Sequence, residues 1–350
     1  MRLSDFDYEL PEALIAQEPL AERDASRLMV LPRDGGPLQH RAVRDLPELL
    51  RPNDLLVFND ARVIPARLRG RKAGSGGRVE LLLVEPVQPQ GEHEEWYCLG
   101  SASKGLKPGQ RVEFGGGLFA EVTGLEAGGA LKVRLSLQGD ALLAALWETG
   151  EIPLPPYIRH ESLPAAADPN ASRYQTIFAR RPGASAAPTA GLHFTDRLFQ
   201  ALDRAGVRRT LLTLFVGPGT FLPVRTDDVS QHRMHSERYE IPVDTAAVVE
   251  ETRRSGGRII PVGTTSLRAL EAASVSGHTR PGPGATDLFI LPGSSFRVAS
   301  GLMTNFHLPR STLLMLVAAL AGRERVLAAY EAAVQERYRF FSYGDAMLIL

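Results

Sequence analysis

The sequence predicts an α/β protein, a mixed and largely parallel sheet covered by helices, with a small all-β barrel inserted into it. Three observations carry that expectation. From Tyr174 onward, apolar strand-like runs alternate with helical patterns, the order that builds a helix-covered sheet. Residues 67–150 instead offer short strands separated by Gly-rich turns, at the spacing of a small barrel or sandwich. A chain of 350 residues is also too long for one small domain. The expected division is 1–66 with 151–350 as the α/β domain and 67–150 as the inserted barrel.

In chain order, Pro11 to Gln17 is a short helix candidate and Arg27 to Leu31 a short strand. A compact apolar strand, Asp54 to Phe58, ends on Asn59 and Asp60, where ligands of α/β sheets bind; a side-chain-bonded turn is the alternative. The barrel strands are expected at Ala66–Arg71, Val79–Glu85, Glu95–Ser101, Gln110–Phe114, Leu118–Gly124 and Ala130–Leu137. Ile152 to Tyr157, rich in proline, reads as a stiff return strut. Then come a helix over Asp196–Ala205, a strand over Arg208–Val216 running into a Gly217-Pro-Gly219 turn, and a helix over Thr245–Ser255. A strand over Arg258–Val262, a turn over 263–266 and a helix from Leu267 follow. The densest polar stretch is Gly301 to Leu316. Pro309 suits a first helical turn there, Ser311 or Thr312 suits the cap, and the apolar run Leu313–Leu320 suits a buried helix. A last helix is expected from Arg323 to about Tyr338.

With a formal net charge of zero, no global field draws the chain to nucleic acid or membrane, so any such contact must come from a local patch. Cys98 is the only cysteine, which excludes an internal disulfide and Cys-based zinc or iron–sulfur spacings. The N-terminus lacks an apolar signal region, and no apolar run approaches a membrane span. The expectation is a soluble, cytoplasmic protein. Arginine dominates the basic residues; Lys72, Lys104, Lys107 and Lys132 are the only lysines.

His232, His235 and Glu237 suit acid–base work better than metal binding, because no third firm ligand pattern accompanies them. The Val262–Ser266 turn offers hydroxyls and helix-start amides for a ribose, carboxylate or phosphate, or is an ordinary βα turn. His193 is either a core histidine or a site residue. No acid lies between Asp60 and Glu80, while Arg62, Arg67, Arg69, Arg71, Lys72 and Arg78 do, with Arg67, Arg69 and Arg71 on one strand face. That stripe is a solvated face or a phosphate contact.

Taken together, FNDARVIPARL (58–68), GEIPLPPYI (150–158), YQTIFA (174–179), APTAGLHFT (187–195), VGPGTFLPV (216–224), HRMHSERYE (232–240), VGTTSLRALE (262–271), GLMTNFHLPRSTLLMLV (301–317) and YRFFSYGDAMLI (338–349) make the chain resemble the S-adenosylmethionine:tRNA ribosyltransferase-isomerase family of queuosine biosynthesis. The resemblance covers nearly the whole chain. It implies an α/β domain with an inserted barrel, and transfer of the ribosyl part of S-adenosylmethionine onto the aminomethyl group of preQ1 at the tRNA wobble position. Epoxyqueuosine would form, with adenine and methionine released. No metal or cofactor is implied beyond S-adenosylmethionine as a substrate, and the enzyme is expected to be a monomer. His193, His232, His235 and Glu237 become the expected acid–base pool. Asn59, Asp60, Thr264, Thr265 and Arg268 become candidates for holding the donor, with Asn305, His307, Arg310, Tyr343 and Asp345 lining the same pocket. Arg62, Arg67, Arg69, Arg71 and Lys72 become candidate tRNA contacts. The chain departs from the resemblance at Phe215, where relatives commonly carry histidine, and at Asp168–Arg173, which is less acidic. A non-catalytic tRNA-binding protein and a small-molecule S-adenosylmethionine-dependent transferase are the competing readings.

Overall fold

The computed structural model describes residues 1–87, 94–126, 129–217, 224, 226–274 and 277–350. Two compact units are distinguished: Met1–Ala61 with Thr176–Arg181 and Pro188–Leu350, and Arg62–Gln175 with Pro182–Ala187.

The first unit is mixed α/β. Its five-stranded sheet runs in the order Ile259–Pro261, Leu55–Asn59, Arg208–Leu214, Glu237–Ile241, Gly282–Thr286. The first three strands are parallel and the other two antiparallel. Its four-stranded sheet has the order Leu302–Asn305, Ala346–Ile349, Arg27–Leu31, Gln39–Ala42, with only the middle pair parallel. Parallel pairing is therefore confined to the centre of the four-stranded sheet, whereas in the five-stranded sheet it reaches one edge, at Ile259–Pro261, and antiparallel strands complete the other. A bridge between Val262 and Met303 joins the two sheets. The core between them is aromatic at its centre: Phe58 meets Phe178, Phe194 and Phe199 edge-on, at ring separations of 5.0, 4.7 and 5.5 Å. Each such ring contributes about 1.5–3 kcal/mol of burial.

Several boundaries differ from the sequence expectation. Pro11–Gln17 forms only a 3-10 turn, Glu12–Leu14. Ile15 is extended and bridges Phe340, whose N–H donates to Leu14 O at 2.8 Å, so pairing captures a segment too short to hold a helix. The helix expected from Leu267 begins at Thr264, because Gly263, at φ 92°, turns the chain directly into it. Ser311 is the cap of the helix Thr312–Ala321, its Oγ accepting Leu314 N at 3.2 Å. Pro309 lies before that cap and outside the helix. Of the Gly217–Gly219 turn, residues 218 and 219 lie outside the described residues.

The second unit is a closed six-stranded antiparallel barrel in the order Ala130–Leu135, Glu95–Ala102, Arg78–Pro86, Arg67–Lys72, Arg111–Gly115, Leu118–Leu125. Alternation decides its interior: Val79, Leu81 and Leu83 point inward with Leu68, Cys98, Val112 and Val133. The helix Gly139–Thr149, which the strand reading passed over, packs Leu142, Ala145 and Leu146 into the same core. Its signal was present in the helical spacing of those three residues. Among the described residues, no helix is long and apolar enough to cross a membrane.

Candidate active site

The strands Leu55–Asn59, Arg208–Leu214 and Ile259–Pro261 run parallel, so their C-terminal ends share one sheet edge, the edge at which α/β sheets bind ligands. Asn59 closes the first strand. Its Nδ2 donates to Leu214 O at 2.9 Å, and its Oδ1 accepts from Leu214 N at 3.0 Å and Ala61 N at 3.1 Å. The amide thus stands in for a peptide group and continues the strand pairing past the last ladder pair. Asp60 follows and accepts from Thr213 Oγ1 at 2.6 Å. Burial raises its pKa above the usual carboxylate value, against the opposing pull of that bond and of Arg181 and Arg180.

The N-terminus of the helix Thr264–Ala272 reaches the same edge, since Thr265 Oγ1 lies 3.5 Å from Asn59 Nδ2. Gly263 precedes it and donates its N–H to Met303 O at 2.7 Å. Among the described residues no side chain caps this helix, and its first-turn amides and positive dipole end suit an anion. One turn along, Arg268 donates from Nε to Leu288 O at 3.0 Å and pairs through Nη1 with the Glu237 carboxylate. Glu237 Oε1 also accepts Gly217 N at 3.1 Å. Arg268 Nη2 is buried and has no hydrogen-bond partner among the described residues.

His193 ends the short 3-10 turn Thr189–His193 and is buried. Burial lowers its pKa to about 4, with a smaller push from the charges of Arg339 and Arg23, so the imidazole is neutral at physiological pH. Asn305, the last residue of Leu302–Asn305, donates from Nδ2 to Phe341 O at 2.9 Å and approaches His193 Nε2 at 3.3 Å. That bond puts the neutral ring's proton on Nδ1. Asn305 Oδ1 is buried without a hydrogen-bond partner among the described residues. The same turn adjoins the helix start: a methyl on Gly263 would lie 3.7 Å from Ala190 Cβ. A buried polar atom without a partner costs about 1–3 kcal/mol, and a ligand with complementary groups removes that cost.

The other expected residues are placed differently. His307 sits inside a cluster: its Nε2 bonds Thr304 Oγ1 at 2.9 Å, its N–H donates to Tyr330 Oη at 3.1 Å, and Tyr8 Oη donates to its carbonyl. Burial lowers its pKa to about 3. Both Asp345 oxygens accept backbone N–H groups, from Arg27 at 2.9 Å and Arg339 at 2.8 Å, and burial raises its pKa. Tyr343 is buried close by in sequence. Arg310 is exposed and pairs with Asp7 at 2.8 Å. His232 is half-buried against Phe289, at a ring separation of 5.4 Å, and its pKa is lowered by burial and by the neighbouring His235; His235 itself is exposed. Phe215 lies 5.3 Å from the Arg238 guanidinium. Asp168 accepts the Asn170 N–H at 2.7 Å, at the start of a four-residue helix.

Arg67, Arg69 and Arg71 do share the outer face of their strand, with Leu68 turned into the barrel. The fold supplies acids that the local sequence lacks. Glu80 lies 3.7 Å from Arg67 and 3.5 Å from Arg69, and Glu151 lies 2.8 Å from Arg69. Arg71 bonds Gly76 O at 3.0 Å, Lys72 bonds Gly105 O, and Arg62 sits 5.6 Å from the Trp147 ring.

Thr213, Leu288 and Phe341, which hold Asp60, Arg268 and Asn305, carry no signal of that role in the sequence, since each acts through a long-range contact. Among the described residues, no group of three or more His, Cys, Asp or Glu is arranged to hold a metal.

Comparison with known proteins agrees over the whole length. A family model described as "Queuosine biosynthesis protein" matches residues 3–349. The S-adenosylmethionine:tRNA ribosyltransferase-isomerase of Anaeromyxobacter dehalogenans strain 2CP-C is 59% identical over 351 residues, covering 100% of this chain and 99% of that protein. The protein of the same name from Syntrophotalea carbinolica is 56% identical over 353 residues, covering 100% of both. The crystal structure of S-adenosylmethionine tRNA ribosyltransferase from Thermotoga maritima is 39% identical, with a TM-score of 0.57, over 99% of this chain and 100% of that one. With the match spanning both the α/β unit and the barrel, the chain belongs to the queuosine biosynthesis protein family.

Proposed function

We infer that this chain is an S-adenosylmethionine:tRNA ribosyltransferase-isomerase. The observation that carries the reading is full-length identity of 51–59% to relatives of that name. In this reading the ribosyl part of S-adenosylmethionine moves onto the aminomethyl nitrogen of preQ1 at the tRNA wobble position. Epoxyqueuosine forms, and adenine and methionine leave. The enzyme works in the cytoplasm as a monomer.

The chemistry asks for three things. The sulfonium acidifies the adjoining 5′ hydrogens, so a base must stand near them. Departing adenine needs a proton or a hydrogen-bond donor, and the aminomethyl group must be neutral to attack. His193, neutral and buried beside Asn305, suits the acid–base role best of the four expected residues. Glu237 suits it less well, since its carboxylate is engaged by Arg268 and Gly217. The uncapped helix start at Thr264–Thr265, with Arg268 Nη2 and Asn305 Oδ1, supports binding of a donor rich in hydroxyl, amino and carboxylate groups. Asn59 and Asp345 would shape that site chiefly by fixing backbone, and Asp60 and His307 by holding the hydroxyls of Thr213 and Thr304. The basic strand of the barrel, with Arg62, is proposed to contact the tRNA.

The test is mass spectrometry of nucleosides from preQ1-containing tRNA incubated with the protein and S-adenosylmethionine. Epoxyqueuosine with released adenine is the expected result. Donor consumed without RNA would overturn it in favour of a small-molecule transferase.

A further inference from the structure

Three of the chain's four lysines, Lys72, Lys104 and Lys107, lie at or in two neighbouring connections of the barrel. One joins the strands Arg67–Lys72 and Arg78–Pro86; the other leaves the strand Glu95–Ala102. Pairing of Val79 with Ala102, and the bond from Lys72 Nζ to Gly105 O, bring both connections to one end of the barrel. Arg71 and Arg78 stand directly opposite each other across the strand pair at that end.

Two of the acids nearby are already engaged. Glu113, opposite Arg71 on its other side, pairs with Arg111 at 3.4 Å, and Glu80 lies between Arg67 and Arg69. Among the described residues, Arg71, Lys72, Arg78, Lys104 and Lys107 have no carboxylate partner within salt-bridge distance. A chain with no net charge thus gathers five uncompensated cations at one barrel end. Like charges directly opposite destabilise a strand pair, and an anion lying between two guanidinium groups reverses the sign of that effect. An open groove of about 760 Å³ runs beside Arg71 and Arg78, walled by Arg69, Ser101, Ser103 and Phe114 and by the two engaged acids, Glu80 and Glu113. A methyl added at Gly74, Gly76 or Gly105 would touch nothing within 4 Å, so the flanking turns leave the approach clear for a bulky polyanion.

We propose that this barrel end grips RNA phosphodiester backbone through Arg71, Lys72, Arg78, Lys104 and Lys107. It, rather than the acid-paired Arg67 and Arg69, supplies most of the barrel's affinity for tRNA. The inference rests on the tRNA-modifying function above and adds where and by which groups the RNA is held.

The experiment measures binding of preQ1-containing tRNA by fluorescence anisotropy across a salt series, for the wild type, Arg78→Gln/Lys104→Gln/Lys107→Gln and Arg67→Gln/Arg69→Gln. Circular dichroism checks that each is folded. The triple variant is expected to bind roughly ten-fold more weakly, with a salt slope reduced by about one per cation removed. The loss should be equal for tRNA lacking preQ1, and Arg67→Gln/Arg69→Gln should change binding less. Unchanged affinity and slope in the folded triple variant, with wild-type adenine release still dependent on tRNA, overturns this surface and leaves the function standing. A wild type that neither binds tRNA nor releases adenine overturns both.

Discussion

Arg268 and Glu237 meet in the interior of the α/β unit, their side chains 2% and 6% exposed. The pair joins the helix Thr264–Ala272 to the strand Glu237–Ile241, and it holds Arg268 where a second guanidinium nitrogen lacks a partner among the described residues.

Removing one member leaves the other charge buried without its opposite charge. Arg268→Met or Glu237→Met alone should cost about 3–5 kcal/mol in urea unfolding, while the double variant should lose much less than the sum. A double variant as unstable as that sum would mean the two charges do not depend on each other.

His193 makes stability pH-dependent with a definite sign. The unfolded chain takes up this proton near pH 6.5, the folded protein only near pH 4. Above pH 6.5 the group contributes nothing. As pH falls from 6.5 the unfolded state binds the proton first and gains, until the folded pKa is reached. Between pH 7.5 and 5.0 the loss should be about 2 kcal/mol, from 1.5 units at ~1.4 kcal/mol each. His307, lowered to about 3, acts in the same direction. Denaturation of His193→Asn at both pH values should show the smaller acid loss; an unchanged loss would mean that His193 is not the titrating group.

Gly263→Ala separates backbone strain from crowding. The added methyl would lie 3.6 Å from Thr265 Oγ1 and 3.7 Å from Ala190 Cβ, ordinary contacts. The cost comes instead from φ 92° with ψ 148°, a region essentially restricted to glycine. A loss of about 1–3 kcal/mol is expected in thermal unfolding. Because the helix start moves with the residue, the KM for S-adenosylmethionine should rise as well. A stability loss with an unchanged KM would detach this helix end from donor binding.

Asn305→Asp would set a carboxylate against two acceptors, Phe341 O and His193 Nε2. The histidine can satisfy the new anion by moving its proton to Nε2 or by taking up a second one, and the field of the anion favours the charged ring, so its pKa should climb above about 4. NMR titration of the ring would show this, and a pKa left where it was would mean that the amide does not face the ring.

The barrel was readable from sequence because strand alternation is local: Val79, Leu81 and Leu83 announce their inward face within five residues. The polar loops around Asn59, Thr264 and Asn305 were equally visible, and all lie in the α/β unit near the strand ends and the helix start. Tertiary structure decided what those side chains bond to. Glu80 meets Arg69 through strand register, Glu151 returns to the same arginine from the far end of the barrel sequence, and Asp345 is spent on the N–H groups of Arg27 and Arg339. Pro11–Gln17 lost its helix to pairing with Phe340, and His307 drew its partners from Tyr8 and Tyr330. The physical reason is range. Alternation, turn residues and caps act between neighbours along the chain, whereas the partner of a buried charge or amide is chosen by the packing of segments that lie from tens to hundreds of residues apart.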